Sequence, residues 1–162
     1  MLCKFQLNTG LRISDVVGVR FFDLMTDKGN FKDYFVLKEK KTNKEKKIKL
    51  NEELRRSLKS FIRANSLNSE DYIFQSRTKS LRGHISVTQA YRILKAAADA
   101  VGIENFGTHS LRKTWGFFTY KESKYNIGLI MSVFNHSSQN ITLRYIGIDQ
   151  QLKDELYSLV QF

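Results

Sequence analysis

His109 and Arg112 place an imidazole and a guanidinium three residues apart in the chain. They fall at the start of a predicted helix, where residues at this spacing are neighbours on the surface. The free backbone N–H groups and the dipole of a helix N-terminus attract anions, and arginine adds a planar fork of hydrogen-bond donors. The pair therefore suits a phosphate, although a helix cap followed by a surface arginine gives the same short pattern.

His136 and Tyr145 follow, nine residues apart. His136 lies at a polar junction between two predicted helices, and Tyr145 lies near the end of the second. A tyrosine beside arginine and histidine can attack a phosphorus atom and form a covalent phosphotyrosine. Because the pKa of a phenol is ordinarily about 10, nearby cations or a base are needed to activate it. A core tyrosine with a hydrogen-bonded hydroxyl is the alternative interpretation.

Further cations lie in the first third of the chain. Arg12 follows a Thr-Gly turn signal at the start of a predicted helix, which is again a favourable place for an anion. Asp15, three residues later, could form a local ion pair with it. A predicted hairpin carries several lysines, most of which we expect to be solvated: Lys38, Lys40, Lys41, Lys44, Lys46 and Lys47.

The elements that position these residues are mostly helices. Apolar spacing and capping residues predict helices over 13–19, from 51, over 86–101, 110–121, 126–134 and 138–145, and from 149. Two alternating runs, 33–39 and 46–50, predict an antiparallel hairpin with a basic tip. The sequence therefore predicts a mostly helical α+β protein with one small antiparallel sheet.

Composition limits the partners of the protein. The chain has 162 residues and no proline, and nothing in it resembles a linker, so we expect a single domain over 1–162. The chain has 27 Lys and Arg against 16 Asp and Glu, a formal charge of +11. This excess of positive charge favours a polyanionic partner such as DNA or RNA, or an acidic membrane surface.

The single Cys3 excludes an internal disulfide and a multi-cysteine zinc site. Without a signal peptide or a long apolar stretch, the sequence predicts a cytoplasmic protein.

Taken in order, these segments resemble the motifs of the tyrosine recombinase (phage integrase) family. TGLRISD at 9–15 resembles the first arginine box, and KTNKEK at 41–46 resembles the lysine hairpin. THSLRKT at 108–114 and HSS followed by TLRY at 136–145 resemble the second and third boxes, which are the specific part. The resemblance runs from about residue 7 to residue 150. It implies the catalytic domain of that family, an α+β fold that is mostly helical with a small antiparallel sheet.

The resemblance also implies site-specific cleavage and rejoining of DNA. Arg12 and Arg112 would bind the non-bridging oxygens of the scissile phosphate and stabilise the transition state. Tyr145 would attack the phosphorus atom, giving a 3′-phosphotyrosine and a free 5′-hydroxyl.

The remaining roles implied by the resemblance are proton transfer and hydrogen bonding to the phosphate. Lys41 would protonate the departing 5′-oxygen, with Lys38 or Lys44 as alternatives if the hairpin register differs. His109 would assist proton transfer. His136 would donate a hydrogen bond to the phosphate.

The resemblance implies double-stranded DNA as the partner and no cofactor. Rejoining reverses cleavage and conserves the bond energy, so neither a nucleotide nor a metal ion is expected. We expect a protein that is mainly monomeric in free solution and oligomeric on paired DNA sites. A final predicted helix, with an apolar stripe at Leu152, Leu156, Leu159 and Val160, could pack on its own domain or on a neighbouring protomer.

Two features depart from the family pattern. Asn135 precedes His136 where the family usually has glycine, and we expect this to change a loop backbone rather than the chemistry. Members of the family carry an N-terminal helical domain, whereas here the first box begins within ten residues of Met1. We therefore expect that domain to be absent and the start of the catalytic domain to be truncated.

Two other functions remain open. A type IB topoisomerase-like strand transferase uses a similar site, and a non-catalytic DNA-binding module would explain the charge and the helices. A metal-dependent nuclease is disfavoured, because the acidic residues lack a second converging cluster. These residues are Asp15, Asp23, Asp27 and Asp33.

Overall fold

The computed structural model describes residues 1–76, 83–148, 154–155 and 157–159, and the chain forms two compact units, Met1–His109 and Ser110–Phe162. Most of the apolar stripe predicted for the last helix lies outside the described residues, namely Leu152, Leu156 and Val160. Leu159 is described; it is helical and exposed. Among the described residues, no helix is long and apolar enough to span a bilayer.

The described residues are mostly helical. The first unit contains α1 (Leu2–Thr9), α2 (Ile13–Val17), α3 (Phe21–Leu24), β1 (Tyr34–Lys38), β2 (Glu45–Lys49), α4 (Glu52–Ala64) and α5 (Val87–Ala100). The second contains α6 (Ser110–Glu122), α7 (Ile127–Phe134) and α8 (Gln139–Ile146). The sequence did not predict α1 or α3. α3 is a single turn, which offers too few apolar positions to establish a period, and α1, with eight residues, begins without a side-chain cap.

The hairpin forms the sheet. Its strands are antiparallel, with Phe35 opposite Ile48 and Leu37 opposite Lys46. Phe35 is buried and Leu37 is half-buried, while the alternate residues of β1 are exposed, as a strand with one covered face requires. β1 is one residue shorter at each end than the predicted strand, so that Glu39 follows it instead of ending it, and β2 begins and ends one residue earlier than predicted.

Side-chain caps begin the helices near the site residues. The predicted caps Asn51 and Ser86 are confirmed: they accept hydrogen bonds from the backbone N–H groups of Leu54 (2.8 Å) and Gln89 (3.0 Å). Ser138 accepts in the same way from Ile141, at 3.3 Å, and starts the helix that carries Tyr145. Such caps satisfy N–H groups that have no partner within the helix.

Each unit has its own aromatic packing. In the first, the ring of Phe5 lies 6.0 Å from that of Phe35 and 5.9 Å from that of Phe74. In the second, the buried core consists of Tyr120, Ile130, Phe134, Ile146 and Ile148. The core of the second unit encloses Phe134 completely, and this ring is important for the site.

Gly116→Ala is expected to destabilise the protein, because helix α6 packs closely at this position. A Cβ there would lie 2.7 Å from both Ile146 Cγ2 and Phe134 Cζ. The core must shift to accept it, and we expect a loss of about 1–3 kcal/mol in the free energy of unfolding. Urea titration followed by circular dichroism measures this loss.

Gly128→Ala is the matched control on a neighbouring helix. A Cβ there meets only Asn126 Oδ1, at 3.6 Å, so the change should be neutral or stabilising by up to about 1 kcal/mol. Equal stability of the two variants would show that Gly116 is not closely packed.

Candidate active site

A turn between α1 and α2 places the backbone of Arg12. Gly10 ends α1 in the left-handed conformation, with φ of 62°, and its N–H donates to the Gln6 carbonyl at 2.9 Å. The buried amide of Gln6 then donates to the Leu11 carbonyl at 3.0 Å. Arg12 itself is extended and occupies the N-cap position of α2.

The guanidinium of Arg12 contacts a buried acid, Glu39. One carboxylate oxygen, Oε1, accepts from Arg12 Nη1 at 2.9 Å and from Lys46 Nζ at 2.8 Å. The other, Oε2, accepts from the hydroxyl of Thr42 at 2.6 Å. The side chain of Glu39 is 0% exposed, and those of Arg12 and Lys46 are 16% and 15% exposed. We call these four residues the Glu39 cluster.

The Glu39 cluster keeps its acid ionised. Burial by itself raises the pKa of Glu39, but hydrogen bonds from Lys46 and Thr42 and the charges of Lys46 and Arg12 outweigh it. The pKa consequently falls from 4.5 to about 2. Arg12 therefore has a charged partner throughout the neutral pH range.

Asp15 does not make the local ion pair that was considered from the sequence. Arg12 pairs with Glu39, and Asp15 Oδ1 accepts a hydrogen bond from the backbone N–H of Lys40 at 3.0 Å. The buried Asp15 thus ties the hairpin turn to α2.

The structure places Lys41 in the hairpin turn, where it is exposed. Lys38 and Lys44, the alternatives for its role, are exposed as well. Lys46 instead lies half-buried in the Glu39 cluster, on the inner face of the sheet with Leu37.

Three of the predicted site residues surround one ring in the second unit. Arg112 Cζ lies 4.4 Å from the ring centre of Phe134. The rings of His136 and Tyr145 lie 5.4 Å and 5.2 Å from it, and 5.1 Å from each other. Arginine above an aromatic face is a favourable cation–π arrangement. The structure thus brings Arg112, His136 and Tyr145 together.

The three residues and the ring meet because they lie at or near the ends of helices. Arg112 is buried in the first turn of α6, and Phe134 is the last residue of α7. Asn135 ends α7 with φ of 56° and ψ of 45°, the left-handed region that asparagine tolerates better than most residues. Asparagine therefore suits this position, where the family usually has glycine, and directs His136 back toward the ring.

Thr142 orients His136. The threonine hydroxyl donates to the Ser138 carbonyl at 3.0 Å, and its oxygen lies 3.1 Å from His136 Nδ1. The hydroxyl proton of Thr142 is already donated to Ser138, so the Thr142 oxygen can only accept from His136. We therefore place a proton on His136 Nδ1, which donates to Thr142. Nε2 of a neutral His136 is then an acceptor, and it becomes a donor only in the imidazolium form.

His109 occupies the turn immediately before α6 and is exposed. It is the last residue of the first unit, which also carries Arg12 and Lys41. Within the ranges that the structure describes, no group of three or more His, Cys, Asp or Glu side chains could hold a metal ion.

The sequence analysis does not identify five of the residues at these sites as site residues, namely Glu39, Thr42, Lys46, Phe134 and Thr142. Lys46 appears there only among the hairpin lysines that are mostly expected to be solvated. A signal for Glu39 exists in the alternation of β1, since it follows Phe35 and Leu37 at a spacing of two on the covered face. A carboxylate on that face requires cationic partners.

The sequence matches known proteins over nearly its whole length. A family model described as the phage integrase family matches residues 1–151. A probable integrase/recombinase of Bacillus subtilis (strain 168), YoeC, is 39% identical over 156 residues. That match covers 96% of this chain and 80% of YoeC.

Solved recombinase structures share the fold. XerA recombinase has a TM-score of 0.72 at 19% identity, over 96% of this chain and 55% of its own. XerH site-specific recombinase, bound to a palindromic difH substrate, has a TM-score of 0.71 at 21% identity, over 98% and 44%. A lambda integrase dimer bound to a COC′ core site has a TM-score of 0.66 at 18% identity, over 91% and 51%.

The chain thus spans about half the length of these recombinase structures. The predicted fold class, a mostly helical catalytic domain of the tyrosine recombinase type with a small antiparallel sheet, is confirmed.

Glu39 should make folding stability depend on pH in a defined acidic range. Its folded pKa is about 2 against 4.5 ordinarily, so the unfolded chain binds the proton first as pH falls. The contribution, on the order of 3 kcal/mol, is complete above pH 4.5 and is lost progressively toward pH 2. Urea unfolding of the wild type and Glu39→Gln at a series of pH values measures it.

The two proteins should differ in stability above this range and converge as pH falls through it. A difference that stayed constant down to about pH 2 would show that Glu39 is not an ionised partner of Arg12 and Lys46.

Proposed function

The chain belongs to the phage integrase family, and from that membership we propose that it cleaves and rejoins DNA through a 3′-phosphotyrosine intermediate. The observation that carries the proposal is the convergence of Arg112, His136 and Tyr145 on the ring of Phe134. A phosphate binder, a proton carrier and a nucleophile are the groups that covalent phosphoryl transfer without a metal requires.

In the proposed reaction, the phenolic oxygen of Tyr145 attacks the scissile phosphorus and the bond to the 5′-oxygen breaks. Arg12 and Arg112 bind the non-bridging oxygens and stabilise the charge of the transition state. Lys41 donates a proton to the departing 5′-oxygen, and His109 assists proton transfer. A free 5′-hydroxyl reverses the sequence when it attacks the phosphotyrosine.

His136 donates a hydrogen bond to the phosphate as an imidazolium. Support comes from Thr142, which contacts the Nδ1 side of the ring, so that the hydrogen bond to the phosphate would come from Nε2. The monoanionic phosphodiester, and the further negative charge that develops in the transition state, favour the protonated ring.

We propose double-stranded DNA in the cytoplasm as the substrate, with the two units acting as one catalytic domain. The charge of +11 supports a polyanionic partner. XerH and lambda integrase, which share the fold, are bound to DNA in their structures, the latter as a dimer. We propose that this protein is mainly monomeric in free solution and, by analogy with the DNA-bound lambda integrase dimer, assembles on paired DNA sites.

The alternatives are less favoured. The matching family model is that of the phage integrases, and YoeC and XerA are named as recombinases. A DNA-binding module without catalysis would leave unexplained why arginine, lysine, histidine and tyrosine occur in the order of the family's catalytic motifs.

Tyr145→Phe should abolish covalent adduct formation with a nicked suicide duplex. The ring can still pack on Phe134 and His136, but the nucleophilic oxygen is gone. Denaturing electrophoresis of labelled DNA detects the adduct. The same change at Tyr157, which is 85% exposed, is the control and should leave the adduct intact. An adduct that persists with Tyr145→Phe would rule out this nucleophile.

Cleavage should also proceed in excess EDTA, because arginine, lysine and histidine supply the charge and protons of the proposed reaction. The rate of adduct formation with and without the chelator tests this. A rate that disappears in EDTA and returns with Mg²⁺ would favour a metal-dependent nuclease.

A further inference from the structure

Glu39 connects two parts of the first unit to which the proposed function gives separate tasks. Its Oε1 holds Arg12, the proposed phosphate ligand, and Lys46. Its Oε2 holds Thr42, which immediately follows Lys41, the proposed proton donor. One side chain therefore contacts both the arginine and the turn that carries the lysine.

The turn itself is anchored on both sides of Lys41. On one side, the N–H of Lys40 donates to the buried Asp15. On the other, Thr42 donates to Glu39, and the backbone of Glu39 exchanges hydrogen bonds with the turn, accepting from Asn43 and donating to Lys44, each at 2.9 Å. Lys41 thus has an exposed side chain on a restrained backbone.

We propose that Glu39 is a positioning residue that couples the orientation of Arg12 to the placement of Lys41; this inference rests on the proposed function. Glu39 engages one nitrogen of the guanidinium, Nη1. The planar fork leaves further donors for a phosphate, in an orientation that the carboxylate sets. The Thr42 contact fixes the turn against the same carboxylate.

The charge of Glu39 argues against a role in attracting DNA. Arg12 and Lys46 together carry two positive charges, and the carboxylate of Glu39 reduces the net charge of the three residues to one. An acid at this position therefore weakens the attraction to phosphate. We therefore expect Glu39 to act by positioning Arg12 and the turn. Removing its charge should slow cleavage without lowering the affinity for DNA.

Glu39→Gln keeps the shape of the side chain but weakens the contacts that position Arg12 and the turn. The amide oxygen is a weaker acceptor for Arg12 and Lys46 than a carboxylate oxygen, and the Thr42 hydroxyl, which now donates to Oε2, would have to accept from the amide nitrogen instead. We expect single-turnover cleavage of a nicked suicide duplex to slow by roughly tenfold to a hundredfold. The affinity for the same duplex, from fluorescence anisotropy, should stay unchanged or increase.

Glu45→Gln is the matched control. It makes the same change in charge on the same hairpin, at an exposed position of β2. We expect its cleavage rate to equal that of the wild type.

Thr42→Val tests the connection to the turn. Valine is similar in shape to threonine but cannot donate to Glu39, while the contact between Glu39 and Arg12 remains. A duplex with sulfur in place of the bridging 5′-oxygen makes proton donation unnecessary, because a thiol has a pKa of about 8.5 and leaves as the thiolate. Slow cleavage of the oxygen substrate by Thr42→Val should return to the wild-type rate on the sulfur substrate.

Glu39→Gln should recover only in part on the sulfur substrate, since Arg12 also loses its charged partner. Two results would overturn the proposal: cleavage by Glu39→Gln as fast as by Glu45→Gln, or equal losses on both substrates by both variants. The second result, with a lower melting temperature, would show a purely structural role. Failure of the wild type to form an adduct with either substrate would instead overturn the proposed function, and this inference with it.

Discussion

A carboxylate without solvent exposure is stable only where cations and hydrogen-bond donors surround it, and the first unit is arranged to meet this condition at Glu39. The acid lies beyond the end of β1 on the covered face, the hairpin register puts Lys46 on that face, and the turn after α1 presents Arg12. Removing any one donor would leave part of the buried charge uncompensated. The position of Arg12 therefore depends on the packing of the sheet as much as on its own helix.

The second unit orders its polar groups in a different way, around an apolar ring. Phe134 is fully buried, and Arg112, His136 and Tyr145 all pack against it. An aromatic ring has a negative face and a positive edge, so a guanidinium is favoured over the face. Gly116 makes room for the ring to lie close to α6. Packing of an apolar residue thus determines where the candidate nucleophile lies.

Most of the helices, and the hairpin, could be predicted from the sequence, because Asn51, Ser86 and Ser138 cap helices with clear apolar periods and β1 alternates regularly. The short helices α1 and α3 could not, since one or two turns carry no detectable period. The resemblance supplied Arg112, His136 and Tyr145, and the structure brings these three together. The alternation of β1 predicts that Glu39 lies on the covered face, but it does not identify its partners, which lie 27 positions before it and seven after it. The roles of Arg12, Lys41 and His109 in the reaction remain predictions.

The two arginines are held by different kinds of contact. Glu39 shares its charge between Arg12 and Lys46, so the field of Arg12 at a phosphate is reduced while its direction is well defined. Arg112 packs on the face of the buried ring of Phe134 in a cation–π contact. Arg12 therefore contributes to the proposed phosphoryl transfer mainly through orientation, and it is this orienting arginine that the fold ties to a buried acid.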